Sequence, residues 1–323
     1  MKSVLNQTAA SGESWSAFHT IAPQDRIVMD QMRAMIAPYK GKLRGIAARV
    51  PFDAMMGQAV AAPDNVSFRH DVVGGIAGWW CEPAEAQPGA VILHAHGGWF
   101  TWGSAEVFRH FVGHIARSAQ AKAFVPDYRL APEHPFPAAL EDLHACYRGL
   151  VDGGAKSIAL TGDSAGGNLA LLVLARATKQ PSVNHSVVAA VALSPVTDLA
   201  MKGQSWESRA NVDPYFVWDQ AEELIRAYLG GHAAMDPTTS PLYGDLTGLP
   251  PIRVHVGDDE MLLDDSQRYV ERAVAAGVDA RIDVWEGMPH GFVGAVGRLD
   301  AAAQALAAIG AFLSQQIAAT HSA

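Results

Sequence analysis

A serine in a glycine-rich turn is the residue whose surroundings most clearly suggest chemistry. Residues 162–167 read G-D-S-A-G-G and contain the pattern G-x-S-x-G, with Ser164 at its centre. The run follows an apolar, strand-like segment and precedes a helical pattern that begins near Gly167. In such a strand–turn–helix, a strained backbone exposes the serine hydroxyl, and the N–H of Ala165 at the helix N-terminus favours a developing negative charge. The turn therefore predicts a nucleophilic serine; the alternative is a glycine-rich turn that binds a phosphate.

A second glycine-rich run, H-G-G-W-F-T-W-G-S, covers residues 96–104 and also follows an apolar segment. Adjacent glycines let backbone N–H groups approach a small anion closely, so this loop is expected to supply further donors to an oxyanion. We expect His96 to brace the loop. A metal site at His94 and His96 would need a third ligand at a suitable spacing, and none is near, so no metal is expected.

A nucleophilic serine needs a base, and His290 is the candidate because it lies in the turn 288–292 after a predicted strand, 281–285. His255 lies inside a strand pattern and is typical of a buried core histidine. An acid must orient the base and stabilise its charged form. Five carboxylates follow the strand 252–256, and those that do not serve as the acid are expected to cap the next helix. They are Asp258, Asp259, Glu260, Asp264 and Asp265.

The motifs lie at the ends of short apolar segments that alternate with helical patterns. Such alternation predicts an α/β fold with a mostly parallel central sheet that is flanked by helices on both faces. The predicted strands are 89–94, 123–126, 157–161, 187–194 and 252–256, and the predicted helices are 105–118, 138–151, 167–178 and 265–276.

Two segments depart from this alternation. Near the N-terminus, apolar residues recur at helical spacing along one stripe: Val28, Met32, Met35, Ile36 and Tyr39. The second segment, 198–237, is rich in aromatic residues and contains a helical pattern. An aromatic helical insert either covers a site at the carboxyl edge of the sheet or packs on the core as an ornament.

The composition of the chain limits the classes of function and the compartment that we expect. The chain has 323 residues, of which 49% are hydrophobic, and its formal net charge is −9. Such an acidic surface repels phosphate backbones, so we do not expect nucleic-acid binding. Two cysteines cannot form a disulfide framework, and the N-terminus lacks a signal peptide. Apolar runs such as 301–313 are shorter than the ~20 residues that a membrane span needs. A cytoplasmic protein without a membrane span is expected.

In four sequence blocks the chain resembles the bacterial hormone-sensitive-lipase family (family IV) of carboxylesterases, which belongs to the α/β-hydrolase superfamily. The family's H-G-G-G-F-x-x-G-S run corresponds to residues 96–104, with Trp99 in place of the third glycine. The other three blocks are D-Y-R-L-A-P-E at 127–133, the G-D-S-A-G-G turn at 162–167 and H-G-F at 290–292. The similarity spans residues 65–310 and implies an α/β-hydrolase fold with a helical cap and the chain order serine, acid, histidine.

The resemblance also implies roles for individual residues. Alignment with the family's D-P-L-x-D loop places Glu260 where most members have the catalytic Asp, with Asp259 as the alternative. The family's oxyanion donors correspond to Gly98, Trp99 and Ala165, with Gly97 shaping the turn of this oxyanion hole. The indole of Trp99 is expected either to line the acyl pocket or to pack under the cap. Asp127 and Arg129 of the D-Y-R-L block resemble a structural ion pair.

The predicted function is hydrolysis of short-chain acyl esters through an acyl-enzyme, without a cofactor. The triad is Ser164, Glu260 and His290, and the predicted substrate pocket is lined by Trp99, Trp206, Phe216 and Phe292. Alternatives are a deacetylase, lactonase or amidase with the same triad, and a non-catalytic ligand receptor. The family also implies a homodimer. The predicted division is cap at 1–45, catalytic domain at 46–197, inserted cap at 198–235 and catalytic domain at 236–323.

Overall fold

The protein is described by a computed structural model that covers residues 14–179 and 186–321. Within these residues the strands form one nine-stranded sheet in the order β1-β9-β8-β7-β6-β4-β5-β3-β2. β2 is antiparallel to β3 and β3 is antiparallel to β5, and the other neighbours are parallel. The strands are β1 (Ser16–His19), β2 (Val66–Val73), β3 (Ile76–Pro83), β4 (Ala90–Ala95), β5 (Lys122–Pro126), β6 (Ser157–Asp163), β7 (Ser186–Leu193), β8 (Ile252–Gly257) and β9 (Ala280–Trp285).

Helices cover both faces of the sheet, which confirms the predicted α/β fold. The helices are α1 (Pro23–Ile36), α2 (Arg49–Ala59), α3 (Ala105–Ala119), α4 (Ala138–Asp152), α5 (Ala165–Thr178), α6 (Ser205–Ser208), α7 (Trp218–Leu229), α8 (Leu263–Ala275) and α9 (Asp300–His321). One core layer contains residues of α4, α5, α7 and α8, and the other contains residues of α1, α3 and α9. Side chains of a central strand alternate between these layers: in β4, Val91 and Leu93 lie in the first layer and Ala90 and Ile92 in the second, so the strand is almost entirely apolar.

The strand register brings the ends of five parallel strands, β4 and β6 to β9, to one edge. Ala95 of β4 is paired with Gly162 of β6, and Asp163 is paired with Leu193 of β7. On the other side of β7, Gly257 of β8 is paired with Trp285 of β9. The loops that carry the glycine run, the serine, the acid and the histidine therefore begin next to one another.

The strands and helices predicted from apolar runs are all present, with boundaries that differ by at most two residues. The predictions did not include β1, β2 and β3. β1 is a four-residue strand, S-A-F-H, that pairs in parallel with β9. The segment 1–45, which was predicted as cap, therefore also supplies an edge strand to the sheet.

The N-terminal helix is present, but its predicted apolar stripe is only partly correct. Met35 and Tyr39 are each 69% exposed, whereas Met29, which lies outside that stripe, is buried. The orientation of α1 follows from a polar contact, because the buried carboxylate of Asp25 accepts the N–H groups of Asp300 and Ala301 at the start of α9. A carboxylate is stabilising at a helix N-terminus, so the face that carries Asp25 turns inward.

The C-terminal helix is longer than the apolar run suggested. α9 has 22 residues and is long and apolar enough to span a membrane by length and composition alone. One side of it is buried against α3 and the sheet, with Ala302, Ala305 and Ile309 inaccessible to solvent. Core helices of globular proteins pass the same length test, and the burial of this stripe places α9 in that class.

Two Gly→Ala changes, one in the contact of α9 with α3 and one on the exposed side of α2, are expected to have opposite effects on stability. A Cβ added to Gly310 would lie 2.6 Å from the carbonyl carbon of Ser118, whereas one at the exposed Gly57 of α2 would meet nothing closer than 3.8 Å. We expect Gly310→Ala to destabilise the protein by about 1–3 kcal/mol through overpacking. Gly57→Ala is expected to stabilise it by about 0.5–1 kcal/mol through its helix propensity. Urea unfolding of both variants tests this, and an unchanged stability of Gly310→Ala would contradict the burial of that face.

Candidate active site

Ser164 lies in a strained turn between β6 and α5. Its backbone has φ 55° and ψ −122°. A residue other than glycine keeps such a backbone conformation only when surrounding contacts impose it. Those contacts are present, because the N–H of Ser164 donates to the carbonyl of Leu193 at 2.8 Å and its carbonyl accepts the N–H of Val196 at 3.1 Å. A Cβ at Gly166 would lie 2.0 Å from the carbonyl oxygen of Ala95, so the close approach of the glycine loop requires glycine there.

The glycine loop is joined to the serine turn by Asp163. The N–H of Gly97 donates to Oδ1 of Asp163 at 3.0 Å, so Gly97 shapes the loop and is not available as an oxyanion donor. This contact is consistent with the turn-forming role that was expected of Gly97. Among the described residues, no protein acceptor takes up the N–H of Gly98, Trp99 or Ala165. These three donors are the ones that the family resemblance implies for the oxyanion hole.

His96 braces the same loop. Its Nδ1 is 2.8 Å from the carbonyl oxygen of Gly97, and its ring stacks on Tyr128 at 4.3 Å. The Tyr128 hydroxyl donates to the carbonyl of His96 at 2.7 Å. Burial lowers the pKa of His96, which keeps the ring neutral. This residue therefore supports the loop and does not take part as a base, as predicted.

Glu260 and His290 form a hydrogen-bonded pair at the carboxyl edge of the sheet. Nδ1 of His290 is 2.8 Å from Oε2 of Glu260. The other carboxylate oxygen, Oε1, accepts the hydroxyl of Ser194 and the N–H of Gly257, each at 2.7 Å. The carboxylate is completely buried, and both of its oxygens are held. A Cβ at Gly257 would lie 2.0 Å from the carbonyl oxygen of Met288, so the acid loop and the histidine loop are in direct backbone contact.

Asp259, the alternative acid, points to a different partner. Its Oδ2 is 2.5 Å from Nη2 of Arg33 on α1. The same guanidinium donates to the carbonyl of Gly287 at 3.1 Å and to that of Val212 at 2.7 Å. Arg33 thus connects the N-terminal helix, the insert and the loops that carry Glu260 and His290, and Glu260 is the carboxylate that reaches the imidazole.

The other carboxylates of the acid loop do not cap their own helix, which corrects the prediction. Asp258 accepts the N–H of Gly287 at 2.6 Å, and Asp264 accepts the N–H of Ser205 at 2.9 Å. Asp265 accepts the N–H groups of Thr197 and Asp198, and burial raises its pKa to about 7. These residues join α8 and the loop before it to neighbouring loops. Their hydrogen-bond donors are close in the folded structure but far away in the sequence, so a local sequence pattern could not reveal them.

The electrostatic surroundings of His290 favour its charged form. Burial alone would lower its pKa, but the hydrogen bond and the charge of Glu260, together with the charges of Asp213 and Asp163, raise the pKa above its ordinary value. The ring also has an aromatic neighbour, since the centroid of Phe216 lies 5.0 Å away at a steep angle. A base in these surroundings accepts a proton readily and holds it against nearby carboxylates.

Aromatic side chains of the insert cover the glycine loop. The ring of Trp99 lies 5.2 Å from that of Phe216 and 6.5 Å from that of Trp206. Trp99 is buried beneath the insert, which is the second of the two arrangements considered for it. Phe292 does not join this group: it packs at 5.6 Å on Trp285, in the core layer that contains α9.

The D-Y-R-L block contains a different ion pair from the predicted one. Arg129 pairs with Asp142 of α4 at 2.7 Å, and Asp127 accepts the N–H of Ala105 at the start of α3. The predicted Asp127–Arg129 pair is therefore wrong, because each residue has a partner distant in sequence.

The described residues contain no group of three His, Cys, Asp or Glu side chains arranged to hold a metal ion.

Sequence reasoning missed three residues of the site. Ser194, which follows β7, holds Glu260, and Asp163 holds the glycine loop. Asp213, in the insert, accepts the N–H of Met261 next to the acid. The position of Asp163 inside the serine motif could have identified it. Ser194 and Asp213 carried no local signal, since their partners are 66 and 48 residues away.

Comparisons with known proteins agree with this architecture. A family model for the alpha/beta hydrolase fold matches residues 92–294. An acetyl-hydrolase of Streptomyces hygroscopicus is 36% identical over 220 residues, covering 68% of this chain and 73% of the relative. An esterase of Acinetobacter venetianus is 36% identical over 232 residues, covering 71% and 76%. The crystal structure of an esterase from the bacterial hormone-sensitive lipase family superposes with a TM-score of 0.83 at 37% identity, covering 92% of this chain and 99% of that one.

The fold and the paired glutamate and histidine at its carboxyl edge define an α/β hydrolase. The chain belongs to the bacterial hormone-sensitive-lipase family of carboxylesterases and is a carboxylic ester hydrolase.

The different partners of Glu260 and Asp259 predict a clear contrast between two variants. We expect Glu260→Gln to lower kcat by on the order of 10³- to 10⁴-fold, because an amide can leave His290 in the wrong tautomer. Asp259→Asn removes only a partly exposed pair with Arg33, so kcat should fall a few-fold at most. Steady-state ester hydrolysis by both variants measures this, and a larger loss in Asp259→Asn would identify Asp259 as the acid instead.

The pKa of His290 predicts the acid limb of the pH profile. Only the neutral imidazole can accept a proton, so kcat/KM should fall as pH drops through this pKa. Because the pKa is raised, the midpoint of that fall should lie above the ordinary histidine value of about 6.5. The profile should be measured with two esters that differ in their leaving alcohol. A midpoint at or below the ordinary value with both esters would contradict the prediction.

Proposed function

We propose that the chain is a serine carboxylesterase that hydrolyses short-chain acyl esters through an acyl-enzyme intermediate. The observation that carries the proposal is the hydrogen bond of 2.8 Å between Glu260 and His290, at the sheet edge where Ser164 occupies its strained turn. A buried acid that holds one imidazole nitrogen leaves the other nitrogen to act as a base.

In the first half of the proposed reaction, Oγ of Ser164 attacks the ester carbonyl while Nε2 of His290 takes the hydroxyl proton. The carbonyl oxygen becomes an oxyanion, which accepts hydrogen bonds from the N–H groups of Gly98, Trp99 and Ala165. The tetrahedral intermediate then collapses, the bond to the alcohol oxygen breaks, and the imidazolium gives its proton to the departing alcohol.

In the second half, water attacks the acyl-enzyme while His290 takes a proton from it. The second tetrahedral intermediate releases the carboxylic acid, and the proton returns to Oγ of Ser164. The carboxylate of Glu260 holds the imidazole tautomer throughout. Its bonds from Ser194 and Gly257 are already in place and need no reorganisation during the reaction.

A short acyl group suits the aromatic cover of the site. Trp99, Trp206 and Phe216 are bulky: the ring of Trp99 lies against those of Trp206 and Phe216, and Phe216 in turn contacts His290. The relative from Streptomyces hygroscopicus is named an acetyl-hydrolase, which supports the same preference. We assign α1 together with the insert 198–235 to the cap that limits chain length.

The compartment and the assembly stay predictions. Cys81 and Cys146 are buried and unpaired thiols, a state that a reducing cytoplasm maintains. A homodimer through a sheet edge would use β1 or β2, since these are the outer strands.

The serine mechanism predicts the outcome of one substitution and one label. Wild-type protein should hydrolyse p-nitrophenyl acetate and butyrate faster than the decanoate, and faster than the matching anilides. Ser164→Ala should lower kcat by on the order of 10⁶-fold, because the nucleophile is lost. A phosphonate should add to Ser164 in intact-protein and peptide mass spectra.

The matched control is Ser67→Ala, which removes a hydroxyl from an exposed position on β2 and should leave turnover unchanged. Absence of ester turnover together with absence of a phosphonate adduct on Ser164 would overturn the proposed function. Faster hydrolysis of anilides or of lactones than of simple esters would assign the triad to an amidase or a lactonase.

A further inference from the structure

Asp213 is a buried carboxylate outside the predicted triad. It lies in the insert between α6 and α7, and its side chain is almost inaccessible to solvent. Throughout the described ranges, no Lys, Arg or His lies within ion-pairing distance of it. A buried charge without a counterion is costly, so its environment must hold it by other means.

Backbone N–H groups from two separate segments hold this carboxylate. Oδ1 accepts the N–H of Tyr215 at 2.9 Å and that of Phe216 at 3.0 Å. Oδ2 accepts the N–H of Met261 at 2.9 Å. Met261 directly follows Glu260 in the chain, so one side chain joins the cap insert to the loop that carries the triad acid.

The turn that Asp213 stabilises also positions a ring on the base. Phe216 contacts His290 at a centroid distance of 5.0 Å and Trp99 at 5.2 Å. The backbone N–H of Phe216 is fixed by Asp213, and the N–H beside Glu260 is fixed by the same carboxylate. Both partners of the Glu260–His290 pair therefore have a neighbour held by Asp213.

We propose that Asp213 is a positioning residue for the triad, which fixes the cap insert and the Glu260–His290 pair as one unit. This inference rests on the proposed serine-esterase function. It means that the insert is part of the catalytic framework, since its detachment would free the acid loop at Met261 and remove Phe216 from His290.

A second contact lets this proposal be tested without loss of the insert. Ser205 donates its hydroxyl to the carbonyl of Met261 at 2.6 Å, and its N–H donates to Asp264 at 2.9 Å. The insert therefore stays attached to the acid loop when Asp213 is altered. An asparagine at 213 can still accept the N–H groups of the turn through its oxygen, but its NH₂ group would face the N–H of Met261.

The charge of Asp213 supplies a readout that a purely structural role would not change. Three carboxylates raise the pKa of His290: Glu260 from the acid loop, Asp213 from the insert and Asp163 from the serine turn. Removal of one negative charge disfavours the imidazolium, so it lowers this pKa. The acid limb of kcat/KM should then move to lower pH.

The experiment compares Asp213→Asn with Asp219→Asn and with wild-type protein. Asp219 lies in the same insert on α7, but its side chain is 70% exposed and pairs with Arg44. For Asp213→Asn we expect kcat for p-nitrophenyl butyrate to fall roughly 10- to 100-fold, the loss typical of a slightly misplaced catalytic group. KM should stay within about threefold, phosphonate labelling of Ser164 should slow in parallel with kcat, and the acid limb should shift to lower pH. Asp219→Asn should match wild type in all of these measurements.

Wild-type-like kcat and an unmoved acid limb in Asp213→Asn would overturn the inference. A loss of kcat with an unmoved limb and a large fall in melting temperature would overturn it as well, because that pattern marks general loosening. Asp213→Glu keeps the charge, so the acid limb of this variant should stay at the wild-type position while its kcat falls. If Asp213→Asn does not fold, Asp213→Glu alone tests the inference, and an unchanged kcat in that variant would contradict it. Failure of the wild-type protein itself to hydrolyse esters or to react with the phosphonate would contradict the proposed function instead.

Discussion

The loops at the carboxyl edge of the sheet approach one another more closely than side chains would allow, and the site depends on this contact. The serine turn touches the glycine loop where Gly166 faces the carbonyl of Ala95, and the acid loop touches the histidine loop where Gly257 faces the carbonyl of Met288. Such approaches leave each loop few alternative conformations. The strained backbone of Ser164 persists because its neighbours are fixed in this way.

Buried carboxylates hold these loops together, and each is satisfied by donors from elsewhere in the chain. Glu260 accepts bonds from Ser194, Gly257 and His290, and Asp163 accepts the N–H of Gly97. A carboxylate in an apolar interior is stable only when its oxygens are occupied by donors. The carboxylate that holds His290 is therefore placed by a hydrogen-bond network that is already complete in the folded chain.

The cap is connected to the catalytic loops by polar contacts as well as by aromatic packing. Arg33 of α1 reaches both the acid loop and the histidine loop, and Asp213 and Ser205 of the insert bind the backbone on either side of Met261. Packing alone would let the cap slide, whereas directional hydrogen bonds set one register between it and the loops. The aromatic rings over Trp99 then have defined places relative to His290.

The sequence by itself determined the parts of this protein that are local. Apolar runs of strand length predicted the six strands β4 to β9, and four motif blocks pointed to Ser164, His290 and the α/β-hydrolase family. These succeed because a strand, a turn or a helix N-terminus is encoded within a few consecutive residues. Sequence patterns did not predict the short β1 or the β2–β3 hairpin, because their apolar patterns are weak. The apolar stripe of α1 was misleading, because part of it is exposed.

Only the tertiary structure decided which side chains meet. In the folded chain, Glu260 and not Asp259 is hydrogen-bonded to His290, and the N–H of Gly97 donates to Asp163. Phe292 packs on Trp285, away from the aromatic group at Trp99, and Arg129 pairs with Asp142 instead of Asp127. Each of these outcomes depends on a partner far away in the chain, or on competition among several carboxylates for a few donors. A local pattern can present five acids in one loop, but the donors that select among them are brought there by folding alone.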